Sequence, residues 1–138
     1  MSNVDGRLGS RVAATSGAAR LALGDVLVIL GLMSVGVYNH GTNPVESPLV
    51  VVATAGPFLA GWAVGALAAG AYAPGATRTV RSAVSRGVGA WVVAAAVGLA
   101  LRATPYFRGD SPVTFALVIT GTGVAALAAW RALVAVGR

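Results

Sequence analysis

The sequence predicts an all-α fold, a bundle of four transmembrane helices, and three observations carry that prediction. Between Glu46 and Arg78 lie thirty-one consecutive residues without a charged side chain. Of the 138 residues 57% are hydrophobic and 10% charged, with a mean hydropathy of +0.80, which leaves too little polar surface for a domain facing water on all sides. The basic residues sit mostly at the ends of apolar runs, and at roughly 20 residues per crossing the length accommodates about four spans.

The first span reads from Leu21 to about Tyr38, roughly 27 Å of helix, just enough for a hydrocarbon core about 30 Å thick. Residues 1–20 are rich in Gly, Ser and Ala, carry Arg7, Arg11 and Arg20, and read as a flexible cytoplasmic arm. A cleaved leader is the competing account. The apolar run is long for a signal core, however, and Val37-Tyr38-Asn39-His40 offers no pair of small residues for cleavage. The second span runs from Pro48 to Tyr72 and contains Pro57, which removes a backbone donor and predicts a kink near Gly56-Pro57. The third covers 83–103, where Arg86 and Arg102 are expected to snorkel toward headgroups. The fourth covers 112–134. The membrane domain is thus 21–134.

Orientation follows from the arginines, because positive residues flanking spans are retained on the cytoplasmic side. Arg7, Arg11, Arg20, Arg78, Arg81, Arg86, Arg131 and Arg138 fall on one side of this topology, and Arg102 and Arg108 on the other. The division requires an even number of crossings and places both termini in the cytoplasm of a multi-pass protein of the cell membrane. Among the aromatics, Tyr38, Tyr106 and Phe107 mark the outer boundary and Tyr72 and Trp130 the inner one. Trp62 falls near mid-depth, where packing or lipid contact suits it better than anchoring.

Glu46-Ser47-Pro48 and Asp110-Ser111-Pro112 open the second and fourth spans alike, with serine as N-cap and proline at the first helical position. Two hairpins of the same orientation would form a parallel repeat. Acid-Ser-Pro is also an ordinary way to begin any helix.

The ionisable residues are few. Asp25 sits one turn inside the first span, where an acid is costly unless paired, and Arg131, Arg86 and Arg20 lie at a similar depth. A structural ion pair that locks helices is favoured over an ion-coupling role. His40, the one histidine, follows the first span in the outer loop, at the depth of Arg102, Asp110 and Glu46. Its imidazole changes charge in the physiological range, but capping a loop or meeting headgroups is its simpler use. Helical phase sets Gly36 and Asn39 near the meridian of Asp25, which predicts a narrow polar stripe along the first helix. Small residues recur every fourth position at Gly61, Gly65 and Ala69, at Ala90, Ala94 and Gly98, and at Gly121, Ala125 and Ala129, as seams where backbones approach closely.

Several function classes drop out. The net charge of +6 is not clustered as a nucleic-acid footprint would be. With no cysteine and one histidine, thiol chemistry and a metal centre are not expected, nor is any cofactor. No nucleophile-and-base set and no phosphate loop appears, so an enzyme is not expected, and lipid turnover through His40 ranks last.

Gly24-Asp25, Asn39-His40, Pro57-Phe58-Leu59-Ala60-Gly61-Trp62, Gly98-Leu99-Ala100-Leu101-Arg102 and Trp130-Arg131 together resemble a family, the small prokaryotic membrane proteins catalogued as domain of unknown function 3054, found in archaea and actinobacteria. The resemblance spans Leu21 to Arg131. It implies a four-span integral membrane protein, brings no activity with it, and directs attention to Asp25, His40, Pro57, Trp62, Arg102 and Arg131. The expected role is binding or passing a small solute or ion through a polar bundle interior, with Asp25, His40, Arg102 and Arg131 as candidates. The alternative is an assembly subunit of a larger membrane complex. The expected partners are the lipid bilayer and either a second copy, since four helices enclose little volume, or a membrane protein.

Overall fold

The computed structural model describes residues 12–13, 15–106 and 113–137. Within them the chain forms four helices, α1 Ser16–Asn39, α2 Pro48–Ala69, α3 Val80–Arg102 and α4 Val113–Val136. Each is long and apolar enough to cross a membrane. Sequential helices are neighbours and α4 returns to pack on α1, so the four close into an up-and-down ring. The N-terminal stretch, the α2–α3 loop and the end of α4 meet at one end of the ring: Ala13, Tyr72 and Val134 line a common cleft there. We call this the terminal end and its opposite the hairpin end.

The helix boundaries depart from the sequence reading wherever a polar cap acts. Thr15 caps α1 by accepting the Ala18 amide at 3.1 Å, so the helix begins five residues before Leu21 and takes in Arg20. Thr79 does the same for Ser82 at 3.0 Å, and α3 begins at Val80 rather than at 83. α2 stops at Ala69 instead of running to Tyr72. Gly70 adopts a left-handed conformation (φ 66°), and the Ala71 amide donates back to Ala66 at 2.9 Å, a Schellman ending. Tyr72 is thereby released from the helix, with consequences for the site. Ser47 occupies the N-cap of α2 as expected, but its side chain makes no cap bond. Asn43 accepts from the Val45 and Glu46 amides instead. The matching Asp110-Ser111-Pro112, together with Arg7, Arg11, Phe107, Arg108 and Arg138, lies outside the described residues. Pro57 is buried inside α2 and does not end it.

Large apolar side chains such as Leu23, Leu27, Val35, Leu117 and Leu133 are more than half exposed, a surface suited to acyl chains. What holds the helices together inside is close approach. A methyl at Gly61 or Gly65 of α2 would overlap the carbonyl oxygens of Ala94 and Ala90 on α3. Two of the three expected seams therefore face each other, and backbone contact substitutes for the water exclusion that lipid cannot supply. Gly98 likewise receives the Phe58 ring. The third row, Gly121, Ala125 and Ala129, faces outward. α4 packs instead through Ile119, Gly123, Leu127 and Arg131, with Gly123 making room for the Trp91 indole, whose Nε1 donates to the Thr120 carbonyl at 3.2 Å.

The shift that aligns Arg20 with Arg86 sets Asp25 on Trp91 and Arg131 on Gly65. Whatever the history of the two hairpins, their chemistry does not repeat.

Two glycines of equal composition should therefore behave oppositely. Gly65→Ala forces α2 off α3 and is expected to cost at least about 1–3 kcal/mol. Gly121→Ala, which meets nothing within 4 Å, should stay within about 0.5 kcal/mol. Thermal unfolding of both variants in one detergent checks the contrast.

Candidate functional site

Asp25 projects from the buried meridian of α1, which reads Leu21, Asp25, Ile29, Met33 and Val37 at four-residue intervals. Arg131 projects from α4 to meet it, and both side chains are 0% exposed. The guanidinium approaches side-on: Nη2 donates to Oδ2 at 2.7 Å and Nε to Oδ1 at 3.0 Å. Two further donors complete the carboxylate. The Tyr72 hydroxyl donates to Oδ2 at 2.6 Å and the Trp130 indole to Oδ1 at 3.1 Å. A carboxylate offers about four acceptor positions, and four donors fill them.

The arginine has a partner beyond the acid. Its Nη1 donates to the Ala71 carbonyl at 2.9 Å, and its Cζ lies 5.3 Å from the Tyr72 ring centroid. The Tyr72 oxygen also accepts from Trp62 Nε1 at 2.8 Å. Burial, followed by the neighbouring Asp25 carboxylate, pushes the Tyr72 phenol above the ordinary phenol range, so it stays protonated and remains a donor. Breaking such a buried pair by removing one partner typically costs about 3–5 kcal/mol, because the other charge is left uncompensated.

Room for these side chains comes from glycines. A methyl at Gly24 would overlap the Trp130 indole, and one at Gly87 would stand 2.9 Å from Arg131 Cγ. The loop after α2 supplies the rest, and it is held by Arg86, whose Nη1 donates to the Gly70 carbonyl at 3.0 Å while Nε donates to Ser82 Oγ at 3.1 Å. Arg86 therefore caps α2 rather than reaching for headgroups. From the other side the Ala13 amide donates to the Tyr72 carbonyl at 2.7 Å.

Of the three arginines considered for Asp25, Arg131 is the partner; Arg20 is exposed and Arg86 is engaged elsewhere. Tyr72, Trp62 and Trp130 belong to the same cluster. Sequence reasoning missed Tyr72 and Trp130, which it treated as interface aromatics. The αL glycine after α2 and the Gly24 and Gly87 gaps were the signals that could have found them.

His40 and Arg102 are not part of this cluster. They meet at the hairpin end, on a cavity of about 350 Å³ between α1, α2 and α4. Its wall is mainly apolar, with Met33, Val37 and Ile119, and its polar groups are His40, Thr42, Thr54 and Arg102. Arg102 is half-buried, its Cζ 4.6 Å from the centroid of the Phe115 ring. Gly36 faces this cavity, with nothing within 4 Å of where a Cβ would stand, whereas Asn39 is exposed. No continuous polar stripe joins them to Asp25. Ile29 of α1, Phe58 of α2, Trp91 of α3 and Leu127 of α4, all 0% exposed, fill the layer between the ion pair and the cavity.

Four spanning-length helices, lipid-facing leucines and a saturated ion pair at the bundle interior define a small multi-pass membrane protein. The chain belongs to the family described as protein of unknown function DUF3054, whose model matches residues 22–134. No curated protein and no solved structure matches it.

Removing single donors to Asp25 should grade with their geometry. Tyr72→Phe, which also orphans Trp62 Nε1, is expected to cost about 1.5–3 kcal/mol, and Trp130→Phe less. Reversible unfolding in mixed micelles measures the order, and equal or negligible effects would contradict it.

Proposed function

We propose that this protein is a non-catalytic membrane protein that takes up a small solute in the hairpin-end cavity and does not pass one through its own interior. The observation that supports this reading is the cavity itself, about 350 Å³ of mainly apolar wall with a few convergent polar groups, within the size range of small-molecule sites. The ion pair argues on the same side. A carboxylate whose acceptor positions are all filled from within has none left for a travelling ion, and the Ile29–Phe58–Trp91–Leu127 layer would have to part before anything crossed. On this reading Arg20, Arg78, Arg81 and Arg86 hold the terminal end at the cytoplasmic face, so the cavity opens toward the outer half of the bilayer.

A second reading, an assembly subunit, is favoured by the outward row Gly121, Ala125 and Ala129, on which another helix could pack closely. It predicts that one membrane protein, or a second copy, co-purifies in mild detergent and is lost in Ala125→Leu.

Uptake is tested by filling the cavity. Gly36→Leu puts a side chain into open space and should leave the melting temperature within a few degrees while abolishing stabilisation by decanol. Retained stabilisation in that variant would remove the cavity from the account.

A further inference from the structure

We propose that the occupant of the hairpin-end cavity is a lipid with an uncharged, hydroxyl-rich head of the sugar type, the head seated on the turn after α1 and one chain running into the cavity. This rests on the reading of the cavity as a binding site and adds its chemical class.

Two hollows meet at that turn. The chain leaves α1 through Gly41 (φ 90°), and the Thr42 amide donates back to the Val37 carbonyl at 3.2 Å, so Thr42 is folded over the end of its own helix. Thr42 thereby lines both the inner cavity and an outer cleft formed with Tyr38, Asn39, Gly41 and Asn43. Among the described residues no charged side chain lines this outer cleft. Its polar groups are the Tyr38 phenol, the Asn39 and Asn43 amides and the Thr42 hydroxyl, and His40 stands on the inner side of the same turn.

These groups are largely unspent. Asn43 uses its side-chain oxygen on the Val45 and Glu46 amides, which leaves its NH2 to donate. Among the described residues, no hydrogen-bond partner within the protein is found for the side chains of Asn39, His40 and Thr42. Amides, hydroxyls and a neutral imidazole both donate and accept, as the hydroxyls of a sugar do, and the exposed Tyr38 ring offers an apolar face beside them. A charged head finds no opposite charge in this lining, so its desolvation there is uncompensated.

Inward of Thr42 the lining turns apolar. Met33 and Val37 of α1, Val50 of α2 and Ile119 of α4 line it, and Thr54 spends its hydroxyl proton on the Val50 carbonyl at 2.8 Å. The charged residue of this wall, Arg102, is engaged within the protein, with Cζ 4.6 Å from the Phe115 centroid. From His40 down to Met33 is seven residues of α1, a depth of roughly 10 Å. Such a space suits an aliphatic chain, whereas a sugar ring buried in it would leave hydroxyls unpaired.

Purified full-length protein in phosphatidylcholine nanodiscs is titrated with decyl glucoside, decanol, decanoate and decyltrimethylammonium, each taken as mole fraction in the bilayer so that partitioning is divided out. Decyl glucoside should bind at least about fivefold more tightly than decanol, the factor of one net hydrogen bond, with both ions weaker than the glucoside. The double variant Asn39→Ala, Thr42→Val breaks no side-chain hydrogen bond within the protein, and should bring the glucoside down to decanol while leaving decanol unchanged. If it does not fold, the ranking of the four probes on the native protein decides. Decanol binding as tightly as the glucoside, either ion binding more tightly, or a preference that survives in the double variant overturns the hydroxylated class while leaving the cavity reading intact. Methyl glucoside, the head without the chain, should not compete, and competition by it would overturn the lipid class. No binding of any probe, or binding unaffected by Gly36→Leu, overturns the cavity reading itself.

Discussion

The contact between Asp25 and Arg131 is the constraint on which the rest of this bundle depends. An isolated aspartate or arginine in hydrocarbon is expensive, and the two together remain expensive unless every remaining lone pair and proton finds a partner. Tyr72 and Trp130 fill the remaining acceptor positions of the carboxylate, and the Ala71 carbonyl takes a further guanidinium proton. These partners come from two places in the chain, the α2–α3 loop and α4, so satisfying one ion pair ties together the crossing of α1 and α4, the path of the α2–α3 loop and the depth of Trp130. The αL turn at Gly70 releases Tyr72 toward this cluster, and the glycines at 24 and 87 leave room for Trp130 and Arg131.

The lock is local to one end. α2 and α3 touch backbone to backbone, and α4 is held to α3 by Trp91 over Gly123, whereas α1 is joined to the ring chiefly through Asp25 and the apolar residues just above it. Toward the hairpin end the cavity lies between α1, α2 and α4, beside the buried Met33 and Val37. The ion pair lies at the terminal end, beside the cleft of Ala13, Tyr72 and Val134, and the second cavity lies at the hairpin end. The two ends also separate the candidate residues: Asp25 and Arg131 form the buried ion pair, while Arg102 and His40 line the hairpin-end cavity.

The four spans were legible from apolar length and arginine position alone, because lipid imposes that pattern on any chain that crosses it. The Gly61–Gly65 and Ala90–Ala94 seams were legible as well, since close approach leaves a four-residue mark. The row at Gly121, Ala125 and Ala129 bears the same mark yet faces outward; small residues record permission to approach, not the fact of it. Asp25 and Arg131 stood out by rarity, but the choice among Arg20, Arg86 and Arg131 depended on how far each side chain sits around its helix. Tyr72 was placed at the end of a helix because hydrophobicity runs through Gly70 without a break. Only the backbone turn reveals that its hydroxyl swings back to the acid.

A double-mutant cycle on Asp25→Asn and Arg131→Gln, with unfolding measured reversibly in mixed micelles, tests this account most directly. A coupling energy of about 2 kcal/mol or more between the two substitutions is the predicted result. Effects that add within about 0.5 kcal/mol would mean that the two charges are held independently, and the bundle would owe its cohesion to something else.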